Sequence, residues 1–325
     1  MAMIWLTWRQ HRAAIIAIAV VVAILGTIFV VTGQQMADAF QQLGVADCLA
    51  HPTHPNCGDI VGAFRDQYGA FIEASGWLSL LPAILGMLIG APLVARELEH
   101  GTYRLVWTQS ISAGRWLAIK LAILFAVTLA ATAIMTALMS WWHANAWNQL
   151  DGHLSPLMYD FEGVVPLAYS AFALALGIAA GVLIRRVVPA MVVALVGFLA
   201  VRLPMELLLR PRFQPPLTYT QDILTVLAPT TQTPLRGAWN LGEGWMDSAG
   251  HPLADSTVFQ ACDSRVGGTK IDLFQCIHNH GWLAFTTYQP ADRFWPFQGI
   301  EAGILVALAV GLLALAIWWV RKRIA

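Results

Sequence analysis

Six long apolar runs constrain this chain more than any other feature of its sequence. A helix that crosses about 30 Å of hydrocarbon needs about 20 mostly apolar residues, because each adds about 1.5 Å. Residues 13–32, 74–95, 121–142, 163–184 and 302–320 are such runs. Residues 187–201 are uncharged and continue apolar past Arg202 to about 209, which makes the sixth. Backbone groups in lipid must bond internally, so each run is predicted to be helical. The 325 residues would otherwise allow two or three soluble domains. Composition argues against that: charged residues are 12%, half the roughly 25% of an ordinary globular protein. With 58% apolar residues the chain is not disordered, and a soluble enzyme is disfavoured. The formal net charge of zero gives no sign of a nucleic-acid partner.

The balanced charge hides an asymmetry along the chain. Six spans put both termini on one side, together with the 96–120 connection and Arg185–Arg186. That side holds 11 of the 19 basic residues and only two acids, Glu97 and Glu99. The other side holds the remaining 8 basic and 17 acidic residues. Basic connections stay in the cytoplasm, so a multi-pass protein with both termini cytoplasmic is expected. Arg9 and Arg12 precede the first run as they would in a signal peptide, but its length exceeds a signal core of about 7–15 residues, so it reads as a retained span.

Three segments then lie outside: 33–73, 143–162 and 210–301. The last is rich in Pro, Gly and Trp and is expected to lack a convincing core of its own. All four cysteines, Cys48, Cys57, Cys262 and Cys276, fall in these segments. An oxidising compartment favours disulfides. Of the three pairings open to four cysteines, local closure favours Cys48–Cys57 and Cys262–Cys276. A zinc or copper site is the competing reading, on His51, His54 and Cys57 or on Cys276, His278 and His280, which would share a face on a strand.

Signatures of catalysis are missing. No phosphate-binding G-x-x-x-x-G-K-[ST] loop occurs, and none of the three lysines, Lys120, Lys270 and Lys322, stands in that pattern. No H-E-x-x-H or G-x-S-x-G occurs either. The chain is therefore expected not to be an enzyme and to hold no metal or cofactor itself.

The most informative stretch runs from Ala95 to Leu121: ARELEHGTYRLVWTQSISAGRWLAIKL. A polar helix end meets a Gly-Thr break, then an amphipathic segment, then a basic lead into the third span. Glu97 and Glu99 could dock a basic groove on a soluble partner, or could serve charge compensation or a helix-end contact. This stretch resembles the connection between the second and third helices of type-2 ABC exporter permeases, in particular actinobacterial ones encoded beside a separate ATPase. The resemblance rests on a Glu followed by Gly-Thr, then Thr-Gln-Ser-x-Ser, then Arg-Trp-Leu and a Lys. The layout of six spans with a long segment before the last is similar too.

That resemblance implies an all-α membrane protein with an ABCG-like exporter fold and a disulfide-tied extracytoplasmic loop region, in a bacterial plasma membrane. Residues 1–12 would be an amphipathic connecting helix, 13–209 the first five spans, 210–301 the outer region, and 302–325 the last span and basic tail. A coupling helix at 97–115 would engage the ATPase through Glu97, Glu99, Gly101, Thr102, Arg104 and Arg115. Two permease copies would pair above two ATPase subunits, which would bind ATP and Mg. The cargo would be a hydrophobic or amphipathic small molecule, such as an antibiotic, drug, peptide or lipid. A sensor or assembly subunit that transports nothing, and an envelope metal-binding protein, are the alternatives.

Within the spans, Gly86-x-x-x-Gly90 and Gly177-x-x-x-Gly181 offer close helix contacts, either between subunits or within one. Pro82, Pro92 and Pro204 could bend helices. Arg202 and Glu206, four apart on one helical face, read either as a self-contained pair or as part of an exit path or outer gate. They are the only ionisable residues expected inside a span. His143 and Glu301 read as interface markers at span ends.

Overall fold

The computed structural model describes residues 2–51, 56–100, 113–227, 235–262 and 270–323, with side chains left aside at 2–11, 113–117, 226–227, 270–271 and 323. Among the described residues, six helical segments are long and apolar enough to cross a membrane. They are span one (Arg12–Gln42), span two (Cys57–Glu99), span three (Ala118–Ala144), span four (Val165–Ile184), span five (Val187–Arg212) and span six (Ala291–Lys322). The chain is a mostly helical, multi-pass membrane protein.

Span four is the axis of the bundle. It packs against spans two, three, five and six. The packing against span two is set by small residues. A Cβ on Gly86 would lie 2.3 Å from the Ala173 carbonyl oxygen, and one on Gly177 would lie 2.1 Å from that of Gly86. Gly181 is equally close to the Ala91 carbonyl, at 2.4 Å. The two small-x-x-x-small motifs therefore mesh with each other inside one subunit. At Gly86–Gly90 the helix of span two widens into a π-turn. Pro204 is followed by another at Met205–Leu209 and a tight turn at Arg210–Arg212. These are register changes of the kind that re-satisfy the backbone near proline.

Arg185 ends span four in the left-handed conformation, with φ 60°. The chain reverses there and enters span five within two residues. At the other end of span four, the side chain of Gln298 accepts hydrogen bonds from the Val164 and Val165 amides, both at 2.9 Å. Its amide group donates to the Tyr159 carbonyl at 3.1 Å. Span six thus caps the first turn of span four, whose amides would otherwise be orphaned.

Several boundaries differ from the sequence reading. The first helix runs without a break from Ala2 to Gln42, so residues 2–12 continue span one rather than forming a separate element. Residues 33–73 are mainly helical, not a loop: the end of the first helix, Val45–Ala50 and Cys57–Ser75. They pack an aromatic cluster of Phe40, Phe64 and Tyr68 against Trp147. The last helix begins at Phe294, eight residues before the apolar run at 302, because Phe294, Trp295, Phe297 and Ile300 extend its apolar content. Glu301 therefore lies inside the helix.

The segment before span six has a small core after all. Strands β1 (Leu217–Asp222), β2 (Trp239–Met246), β3 (Pro252–Leu253) and β4 (Leu283–Gln289) form an antiparallel sheet in the order β1-β4-β2-β3. A bulge interrupts β2 between Asn240 and Gly242. Helices Asp255–Ala261 and Lys270–Asn279 lie beside it, and Ile223, Val258, Cys262 and Ile277 are buried between these elements. Cys262 and Cys276 form a disulfide across the two helices, with Cα atoms 5.7 Å apart. So few buried side chains need such a staple. Cys48 and Cys57 form a second disulfide, with Cα atoms 5.3 Å apart.

Candidate functional site

Charged residues of spans five and six converge with Asp160 at the end of the bundle that carries the sheet. Asp160, from the connection between spans three and four, accepts hydrogen bonds from two guanidiniums. Arg202 donates from Nη2 at 2.7 Å and Arg210 from Nη2 at 2.6 Å. Arg210 also holds Glu301 of span six through Nε at 2.8 Å and Nη2 at 2.7 Å. Tyr169 of span four donates its hydroxyl to the same carboxylate at 2.7 Å. The rings of Tyr169 and Tyr159 lie under Arg202 and Arg210, at 4.9 and 4.2 Å. All six residues are buried. Four separate elements of the bundle are thus tied together by one ionic cluster.

Burial would push the Asp160 carboxyl up, but Arg210 and then Arg202 overcome it and hold the group below the ordinary carboxylate range. Burial likewise pushes the Tyr159 hydroxyl up, so it stays protonated. Asp160 is accordingly an anion shared by two guanidiniums, and Glu206 is a further, half-exposed carboxylate 3.5 Å from Arg202.

This corrects the reading of Arg202 and Glu206 as the only ionisable pair inside a span. They do meet, but the closer partner of Arg202 is Asp160. Arg210 and Glu301 are buried members of the same cluster, and Glu301 is no interface marker. The sequence held one clue: Arg202 and Arg210 are eight apart, which places them on one side of a helix. Asp160 carried no such signal, because its segment reads as a polar loop.

Beside the cluster, the same connection holds a second buried carboxylate. Glu162 accepts from His143 Nδ1 at 3.0 Å, Asn148 Nδ2 at 3.1 Å and His153 Nδ1 at 2.5 Å. Burial opposes its ionisation, yet the two histidine contacts hold it down to about 2. The hydrogen bond to Glu162 raises His153 above its usual value. His143 is thus a fully buried anchor of the connection.

Below the cluster lies a cavity of about 370 Å³ between spans one, two and three, reaching Tyr169 and Arg202. Its walls are alanine, valine, isoleucine, leucine and methionine along most of their length, and Asp160 and Arg202 form its one charged end.

At the opposite end of the bundle both sequence-selected acids have partners within the chain. Glu97 pairs with the Lys120 ammonium, which is buried. Glu99 accepts from the Val187 amide at 2.9 Å, at the start of span five. Those contacts are charge compensation and a helix-end contact, and they join spans two, three and five. Gly101, Thr102 and Arg104 lie outside the described residues, as does the side chain of Arg115.

The metal-site geometries do not fit. Cys57 and Cys276 are disulfide-bonded and offer no thiolate. His51 bonds Asp47 and His278 bonds Asp222, while His54 lies outside the described residues. Cys276 and His278 sit in a helix rather than a strand, so their alternation does not align them. His280 approaches the Cys262 and Cys276 sulfurs, but that is the oxidised pair.

A family model described as "ABC-2 membrane transporter related" matches residues 19–210. The match covers more than half of the chain, from span one through Arg210, and leaves the sheet and span six outside. No curated protein and no solved structure matches the chain. Six apolar helices, the meshed glycines of spans two and four, and a family match that spans both place the chain among the ABC-2-type membrane transporters.

Proposed function

We propose that this chain is the membrane-spanning subunit of an ATP-driven exporter that moves a hydrophobic or amphipathic small molecule out of a bacterial cell. The observation that carries this reading is the family match over the first five spans. Two copies pair, and two copies of a separate ATPase bind and hydrolyse Mg-ATP beneath them. The end with Arg185, Arg186 and the basic tail faces the cytoplasm, a reading supported by its excess of 11 basic over 2 acidic residues. The segment 97–115 receives the motion of the ATPase. Glu97 and Glu99 suit that task because their contacts with Lys120 and Val187 join it to spans three and five. The Asp160–Arg202–Arg210–Glu301 cluster, on the far side, latches the exit. The mechanism is a switch between inward-open and outward-open states.

A proton-driven carrier is the competing reading, since Asp160 and Glu301 are buried carboxylates. Both are bound by guanidinium donors, and Asp160 is held ionised, which disfavours proton exchange there.

Purification of the tagged chain from its native host in mild detergent tests the export reading. Co-purification of a P-loop ATPase is expected, with ATP turnover lost in Glu97→Arg and Gly101→Pro while the complex still assembles. Isolation of the chain without an ATPase, under conditions that preserve other ABC complexes, contradicts it.

A further inference from the structure

The cavity between spans one, two and three has the length and polarity of a lipid chain. Its walls run from Ala14 to Leu25 on span one and from Leu78 to Ile89 on span two. Eleven residues of rise make about 17 Å on each; the two spans run antiparallel, so Ala14 and Leu78 mark opposite ends and the groove extends beyond the roughly 15 Å of hydrocarbon in one leaflet. Val21, Ile84 and Leu88 on these walls are exposed, so the cavity is a groove that opens sideways to lipid. Of its four serine and threonine residues, Thr132 and Ser170 bond each other at 3.0 Å, Ser79 and Thr136 add two further hydroxyls, and most of the remaining wall is apolar.

Its charged end is a donor site. Arg202 is 4% exposed; its guanidinium lies over the Tyr169 ring, and its hydrogen-bond and ion-pair partners, Asp160 and Glu206, both meet Nη2. Among the described residues no acceptor bonds its Nε or Nη1. A guanidinium has five N–H donors, so several remain. The neighbouring acceptor is already engaged, since both Asp160 oxygens accept from guanidiniums. A cationic head would meet Arg202; an oxyanion would find unmatched donors in the planar fork that suits it.

We propose that this groove binds a single-chain anionic amphiphile, with its tail along spans one to three and its carboxylate or phosphate head on Arg202. The molecule enters from the membrane and not from water. The proposal rests on the export reading in taking such an amphiphile as the cargo.

The test is photolabelling of the full chain in lipid nanodiscs with a palmitic acid analogue carrying a diazirine in its tail. Labelling is expected to saturate and to map by mass spectrometry to the groove walls. Palmitic acid and the corresponding alkyl phosphate should compete, and the alcohol and alkylammonium of equal length should compete about ten-fold or more weakly, as loss of a charge-assisted hydrogen bond requires. Ala17→Phe, which fills the groove from an exposed wall position on span one, should remove the labelling while the protein stays monodisperse. Arg202→Lys keeps the charge and should weaken competition by the phosphate. The proposal is overturned by labelling spread over the outer faces of the spans, by equal competition from the alcohol or alkylammonium, or by unchanged labelling of Ala17→Phe. ATP-dependent efflux of the same probe, measured in parallel, separates the two readings. Groove labelling without efflux keeps the site and removes the export reading; efflux with scattered labelling does the reverse.

Discussion

Span four is buried along 72% of its most apolar window, whereas spans one and three are buried along only 11% or less. The difference does not come from hydrophobicity, for span one is the most hydrophobic of the three. Between spans four and one, it follows side-chain size. Span four reads AFALALGIAAG through its middle, and its glycines and alanines let the backbone of span two approach to contact. Span one reads IIAIAVVVAIL, and its branched side chains hold neighbours off and leave a groove. In lipid, apolar character puts a helix in the membrane, and small residues decide which helices form the frame.

The sharpest way to break this contrast is at the ionic cluster that pins the frame. Arg210→Met leaves Asp160 and Glu301 buried without their shared cation and should cost about 3–5 kcal/mol. Thermal unfolding in detergent should show a larger loss for this variant than for Gly177→Ala, His153→Ala or Gly26→Ala. Next comes Gly177→Ala, whose new methyl would sit 2.1 Å from the Gly86 carbonyl oxygen. The backbone there cannot yield, and about 1–3 kcal/mol should be lost.

A smaller, pH-dependent effect is expected at His153. Its value is raised by Glu162, so its contribution is fully present below 6.5 and fades as pH rises through the raised value. Glu162, held at about 2 against an ordinary 4.5, contributes above 4.5 and loses that contribution as pH falls toward 2. The stability gap between the wild type and His153→Ala should therefore be wider at about pH 5.5 than at about pH 8.5; a gap independent of pH would remove the ion pair from the account. Least of all should change in Gly26→Ala, on the loosely packed span one. Its methyl meets only the flexible Leu138 side chain, at 3.2 Å, and stability should stay within about 0.5 kcal/mol. If Gly26→Ala costs as much as Gly177→Ala, the division into frame and groove is wrong.

The six spans were legible because about 20 apolar residues in a row have few other uses. The disulfide Cys262–Cys276 was legible from local spacing. The ionic cluster was not, because it is assembled from partners 42 to 91 residues apart. Glu301 looked terminal only because the helix was read from hydropathy, and the aromatic turn at Phe294–Phe297 already belongs to it. The small sheet escaped notice since its strands are short and separated by proline- and glycine-rich turns. Arg202 was noticed for being charged in an apolar run, which is the signal that Asp160, in a polar connection, could not give.

The export of an amphipathic molecule at the expense of ATP is tested most directly in inverted membrane vesicles from the native host. ATP-dependent accumulation of an amphipathic fluorescent probe should appear with the wild-type chain, persist when the proton gradient is collapsed, and vanish in Glu97→Arg. Accumulation that needs the proton gradient and ignores ATP, or a flux unchanged when the chain is deleted, would contradict it.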